Sequence, residues 1–520
     1  MVISTLVAVG LCALPAPAAP PQAAVATGLA TLVDEVVDGP EYKHASWGIL
    51  VVKATGETVY ARNPNAMLAP ASVTKLFTSA AALIAIGPEH TFETKVYQRG
   101  RVLSGTLRGD LILVASGDPT LGGRTRDGKI VYRDKDHTYA NSGLMESELT
   151  DTDPLAGLED LARQVKEAGV KQIDGEVLID DRLFARTQAT GSGPSAVTPI
   201  TVNDNVVDVL VKPGENVGEL AKVTIRPVTA FAQVDALVKT GEEGSAVEIS
   251  LHEIGANQFA VRGRVPQGGK PALRIYQVGD PALFARALFI EALRRNGVQA
   301  NAAILRPDHA DLPERSAYDT LKTVATFTSP PLKDAVTVTM KVSHNLYASM
   351  LPCLVAASHG DTTAEAGLRA GRKIFAKDLG VDVGGVSFGG GAGGSPADFV
   401  TARATVDLLR GMAKRPEWEV YKAALPILGV DGTLAESVKP DSPARGKVRG
   451  KTGTLVWVDS ANDRLFLKSK ALAGVMTTKA GTPLTFAMMV NNVPLPKGVS
   501  ATREGKMLGR LCEILYENGP

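Results

Sequence analysis

Two spacings of apolar residues alternate along the chain, and each predicts a different kind of element. Two β-rich runs, Ser46-Trp-Gly-Ile-Leu-Val-Val52 and Thr58-Val-Tyr-Ala61, flank the polar Ala54-Thr-Gly-Glu57 and predict a hairpin. After Asn63-Pro64-Asn65 and Pro70, an Ala/Leu-rich run over 72–86 is apolar on almost every side and stops at Gly87-Pro88, the pattern of a buried helix with Ser72 at its start. From about Thr91 to Asp311 the texture changes to short β-rich runs broken by Gly, Pro and Asp, and only 155–168 and 281–296 read as helices there. The helical texture then returns at 332–342, 346–358, 364–379 and 402–414. Strands are predicted at 447–458, 471–477 and 483–490, with a last helix over 502–517.

The return of the first texture predicts one domain made of residues 25–90 and 312–520, interrupted by an inserted mixed α+β block over 91–311. The length fits, since 520 residues at about 150 per domain suggest roughly three units, and 44% apolar residues suffice for a sizeable core. Lys and Arg number 56 against 55 Asp and Glu, so no net field draws the protein to nucleic acid. The seven His include no His-Glu-x-x-His, and the three Cys include no Cys-x-x-Cys, so neither a metal nor another cofactor is expected. The apolar N-terminus ends in Ala16-Pro17-Ala18, an A-x-A-like cleavage pattern, so residues 1–18 read as a signal peptide and the product as exported to the periplasm or cell envelope. Leu11 before Cys12 disfavours a lipid anchor, and no later run is apolar for 18 residues. Cys353 and Cys512 then remain, as one disulfide or, preferred here, as two buried thiols.

Three short motifs carry the candidate chemistry. In Ser72-Val73-Thr74-Lys75 the serine and lysine share a helix face, so a desolvated, neutral Lys75 can take the proton of the Ser72 hydroxyl. Alone, the motif fits an N-cap serine beside an exposed lysine equally well. Ser343-His344-Asn345 stands between two predicted helices, and Lys451-Thr452-Gly453-Thr454 opens a predicted strand. Lys239-Thr240-Gly241 and Ser460-Ala461-Asn462 spell the same words, but either would break the order of the set. Gly389 to Gly394 also spells the G-x-G-x-x-G of a dinucleotide site, without the βαβ unit and acidic residue that would complete it.

Together the three motifs resemble the active-serine penicillin-recognising set, and the sequence is similar to the class C penicillin-binding proteins, the D-alanyl-D-alanine carboxypeptidase/endopeptidase family. Leu113-Val-Ala-Ser-Gly-Asp-Pro-Thr-Leu121, Gly175-Glu-Val-Leu-Ile-Asp180 and Leu425-Pro-Ile-Leu-Gly-Val-Asp-Gly-Thr-Leu434 extend the likeness over about residues 40 to 515. The resemblance implies an α/β sandwich, a five-stranded antiparallel sheet with helices on both faces, plus the insertion. It implies Ser72 as nucleophile, Lys75 as base, Ser343 as proton relay, and Asn345 holding Lys75 and the substrate amide. Lys451 and Thr452 would bind the terminal carboxylate, and Gly453 and Thr454 would line the substrate strand, with the Ser72 and Thr454 N–H groups as oxyanion hole. The implied partners are peptidoglycan stem peptides, with β-lactams as inhibitors and peripheral membrane or cell-wall association. A silent peptidoglycan-binding protein and a β-lactamase or esterase of the same fold are the alternatives.

Three features depart from that family. His344 stands where Asp or Asn is usual, and its side chain is expected to face away from the cleft. Gly390-Gly-Ala-Gly-Gly-Ser395 replaces a more polar segment. Residues 456–470 are longer and more charged than a simple turn, so an extended hairpin or a substrate-facing loop is expected. Asp180 is read as a strand-end turn residue or a group reaching the stem peptide.

Overall fold

The computed structural model describes residues 27–142, 146–305 and 311–520; the N-terminal leader lies outside them. Strands β1 (Ser46–Lys53), β2 (Thr58–Arg62), β3 (Val448–Asp459), β4 (Arg464–Thr477) and β5 (Pro483–Pro494) form one antiparallel sheet in the order β2-β1-β5-β4-β3. Period-two alternation sends Leu50 and Val52 to one face and Ile49 and Val51 to the other, and both faces are covered. One face packs on α2 (Thr74–Ile86), α5 (Leu332–Lys341), α6 (Asn345–Ser358), α7 (Ala364–Lys377) and α8 (Ala402–Met412), the other on α1 (Thr27–Val37) and α10 (Thr502–Asn518).

Between α2 and α5 the chain builds a second core. A six-stranded sheet joins Glu93–Leu103, Thr106–Val114 and Val177–Asp180 with Lys322–Thr328 and two short strands, and α3 (Ala156–Glu167) and α4 (Pro281–Arg295) pack on it. Two three-stranded sheets follow from residues 206–277. Lys322–Thr328 pairs with Glu93–Leu103, so the inserted sheet runs past Asp311, and the crossing lies where Ser329 N donates to Phe92 O at 2.9 Å.

Two helices escape the sequence patterns: α1, whose apolar Leu29, Val33 and Val37 repeat every four residues beside the Ala/Pro leader, and α9 (Trp418–Ala424), two turns long. Residues 456–470 form no loop. β3 runs on to Asp459 and β4 starts at Arg464, with Trp457 opposite Phe466 and Val458 opposite Leu465 in an extended hairpin bulged at Leu455/Val456. Cys353 and Cys512 are both free and buried in different cores. No helix among the described residues is long and apolar enough to cross a membrane.

Candidate active site

Ser72 stands in a single 3₁₀ turn, Ala71–Val73, that runs directly into α2. Neither terminus there has a side-chain cap, so Ser72 is not an N-cap serine and its hydroxyl is left for another use. Ala71 is held at φ 47, and Gly393 and Gly453 press on this turn from two sides. A Cβ on Gly453 would strike Pro70 O, and one on Gly393 would strike Ala71 O, so both positions demand glycine for the close approach. Asp398 fixes the Gly389–Gly394 run by accepting from Gly389 N (2.9 Å) and Ser395 N (2.8 Å). That run is therefore packing against the nucleophile turn, with no dinucleotide unit around it.

Lys75 lies one turn further on and is completely buried. Its Nζ is 2.7 Å from Ser72 Oγ, 2.7 Å from Asn345 Oδ1 and 2.8 Å from Ala392 O. The last two atoms can only accept, so in the neutral amine both N–H bonds are spent on them and the lone pair faces the Ser72 hydroxyl. Burial, then the nearby Lys451 charge, holds Lys75 well below the usual lysine range, against a smaller opposing pull from Asp398.

The second and third motifs are in direct contact. Ser343, at φ 63, directs its Oγ to within 2.9 Å of Lys451 Nζ, which also donates to Thr452 O at 2.9 Å. Burial first, then Lys470, lowers Lys451 to about 7. Lys451, Gly453 and Thr454 pair with Ala473, Ala471 and Lys470 of β4, so β3 is the outer strand beside the nucleophile turn. Thr452 Oγ1 donates to Thr433 Oγ1 at 2.7 Å, and Lys470 Nζ donates to Thr454 Oγ1 at 2.8 Å. Asn345 Nδ2 donates to Ser192 O at 2.8 Å, so a loop of the insertion already holds the amide group expected to meet substrate.

All eight predicted site residues thus gather around the Ser72 turn and the adjoining stretch of β3, while their look-alikes fall elsewhere. Lys239 is exposed on an inserted strand, and Ser460 and Asn462 lie in the β3–β4 turn. His344 is fully buried, stacked on Tyr347 with ring centroids 3.9 Å apart, and burial pushes it down to about 4. Asp180 accepts from Arg182 and from Tyr318 Oη (2.7 Å), the contacts of a strand-end turn residue. The motifs did not reveal Ala392 O, Ser192 O, Thr433, Lys470 or Asp398. Three of these lay in stretches the sequence had marked, Thr433 in Leu425 to Leu434, Ala392 in Gly390 to Ser395 and Lys470 in 456–470, but without these contacts.

The chain is 30% identical over 458 residues to a D-alanyl-D-alanine carboxypeptidase of Actinomadura sp. (strain R39), spanning 82% of this chain and 76% of that protein. It is 25% identical over 447 residues to D-alanyl-D-alanine carboxypeptidase DacB of Haemophilus influenzae, spanning 82% and 81%. The crystal structure of penicillin-binding protein 4 from Haemophilus influenzae superposes with a TM-score of 0.70 at 21% identity, covering 93% of this chain and 99% of that one, which establishes the shared fold. A model of the D-Ala-D-Ala carboxypeptidase 3 (S13) family matches residues 29–512, and the chain belongs to that family.

Proposed function

We propose that the protein cleaves the D-alanyl-D-alanine bond of peptidoglycan stem peptides or cross-links through an acyl-enzyme on Ser72, and that penicillin inhibits it by acylating the same oxygen. The carrying observation is the buried Lys75 amine nitrogen, which spends its N–H bonds on Asn345 Oδ1 and Ala392 O and is aimed at Ser72 Oγ. Ser72 Oγ attacks the carbonyl carbon as its proton passes to Lys75 Nζ, and the Ser72 and Thr454 N–H groups receive the oxyanion. Ser343 Oγ relays a proton to the departing amine of the terminal D-alanine, and water then breaks the ester. Lys451 and Thr452 hold the terminal carboxylate, with Lys451 charged when it does so. Gly453 leaves β3 flat against the nucleophile turn, so the peptide lies along the strand. The N-terminal leader pattern supports export to the compartment where peptidoglycan lies.

Incubating the purified protein with muropeptides and following products by mass spectrometry tests this reading. Loss of a terminal D-alanine or conversion of dimers to monomers, abolished by Ser72→Ala, is the expected result. Steady penicillin hydrolysis with intact muropeptides would instead make it a β-lactamase, and neither reaction would make it a silent binding protein.

A further inference from the structure

Behind the cleft, the insertion sends a cluster of buried charges into the catalytic body. Arg124 Nη1 and Nη2 donate to Asp136 at 2.7 and 3.1 Å, Nη2 also to Asp204 Oδ2 at 2.6 Å, and Nε to Tyr347 Oη at 3.1 Å. His137 faces two carboxylates, Asp208 from Nδ1 at 2.6 Å and Asp204 from Nε2 at 2.7 Å; both ring nitrogens must then donate, and the imidazolium is held up at about 10. Tyr347 Oη donates to Asp204 Oδ1 at 2.5 Å, and neutral His344 lies 3.6 Å from that same oxygen and 4.0 Å from Asp136. Asn203, Asp204 and Asn205 all have φ between 46° and 57°, three left-handed residues in succession.

Such a cluster is a poor way to gain stability, because desolvating the charges costs about what their attraction returns. What it does accomplish is placement. Asp136 caps the short turn His137–Tyr139 by accepting from Thr138 N (3.1 Å), and from that turn Tyr139 Oη donates to Ser343 O at 2.5 Å, with the Asn345 backbone N–H also facing the phenol. Ser343 is itself left-handed, a conformation that persists only when its surroundings enforce it. We propose that Tyr139, an inserted-block residue anchored by the Arg124–Asp136–Asp204 cluster, is a positioning residue for the reaction. It holds the Ser343–Asn345 corner so that Ser343 Oγ meets Lys451 and Asn345 Oδ1 meets Lys75. The inference rests on the reading of Ser343 and Asn345 given above.

Tyr139→Phe removes only the hydroxyl that grips the corner. Second-order acylation by benzylpenicillin, followed by mass spectrometry, should fall at least fivefold while the melting temperature moves by no more than about 2 °C. In a Ser343→Ala background the same substitution should cost measurably less than in the wild type, because one of the two side chains it positions is gone and only the Asn345 contact to Lys75 is left to disturb. Tyr347→Phe, which unties α6 from Asp204, should repeat the pattern. A loss below fivefold for both variants, or the same fold loss in both backgrounds, would overturn the proposal. Failure of Ser72→Ala to abolish labelling would instead overturn the underlying assignment.

Discussion

Lys75 and Lys451 are both fully buried lysines whose pKa values burial lowers, and this sets the pH behaviour of the protein. The ordinary lysine value is 10.5 and burial lowers Lys451 in the fold to about 7, so between these limits the unfolded chain binds more protons and stability rises with pH. Lys451→Met removes this penalty. Its melting temperature relative to wild type should therefore be most favourable near pH 6 and lose ground steadily by pH 10, whereas a pH-independent difference would show that Lys451 is not depressed. Lys451→Ala should lower acylation at least tenfold, about 1.4 kcal/mol, while Lys239→Ala, exposed on the inserted strand, should change it less than twofold. His344→Asp would set a further carboxylate beside Asp136 and Asp204, so the melting temperature should drop, more at pH 8 than at pH 5. Equal melting temperatures would contradict the buried cluster.

At the scale of elements, glycine placement and hairpin length matter most. Gly393 sits at φ 94 with no room for a methyl group against Ala71 O, so Gly393→Ala should displace the nucleophile turn and slow acylation at least tenfold without unfolding the protein; a rate within threefold of wild type would show that the turn yields. The β3–β4 hairpin projects past the cleft with Trp457 52% and Val458 73% exposed. Trimming it to a four-residue turn should leave reaction with penicillin near wild type and change turnover of cross-linked peptidoglycan at least threefold, and unchanged turnover of both would make the extension purely structural. The buried helices were legible because their apolar runs end at unambiguous stops such as Gly87-Pro88. The first half of β4 was not, since Arg464, Lys468 and Lys470 interrupt its apolar positions and only pairing with β3 and β5 makes it a strand.

Over the whole molecule, one sheet with two covered faces carries the chemistry, and a second core, inserted between α2 and α5, reaches back to it. The three motifs were readable because each is a local word whose side chains do the work. Ala392 O and Ser192 O were not, because a backbone acceptor carries no letter, and Tyr139 and Thr433 reach the site only through contacts that folding creates across hundreds of residues. In this member of the D-Ala-D-Ala carboxypeptidase family the insertion thus touches the proposed site through Asn345 and the Ser343 carbonyl.

The most direct test is to trap the folded protein with benzylpenicillin, digest it and locate the adduct by tandem mass spectrometry. One penicilloyl group on Ser72, absent from a Ser72→Ala protein that still unfolds cooperatively, is expected, since losing the hydroxyl that faces buried Lys75 costs about 1–3 kcal/mol. An adduct on any other residue, or none on folded wild-type protein, would contradict Ser72 as the nucleophile.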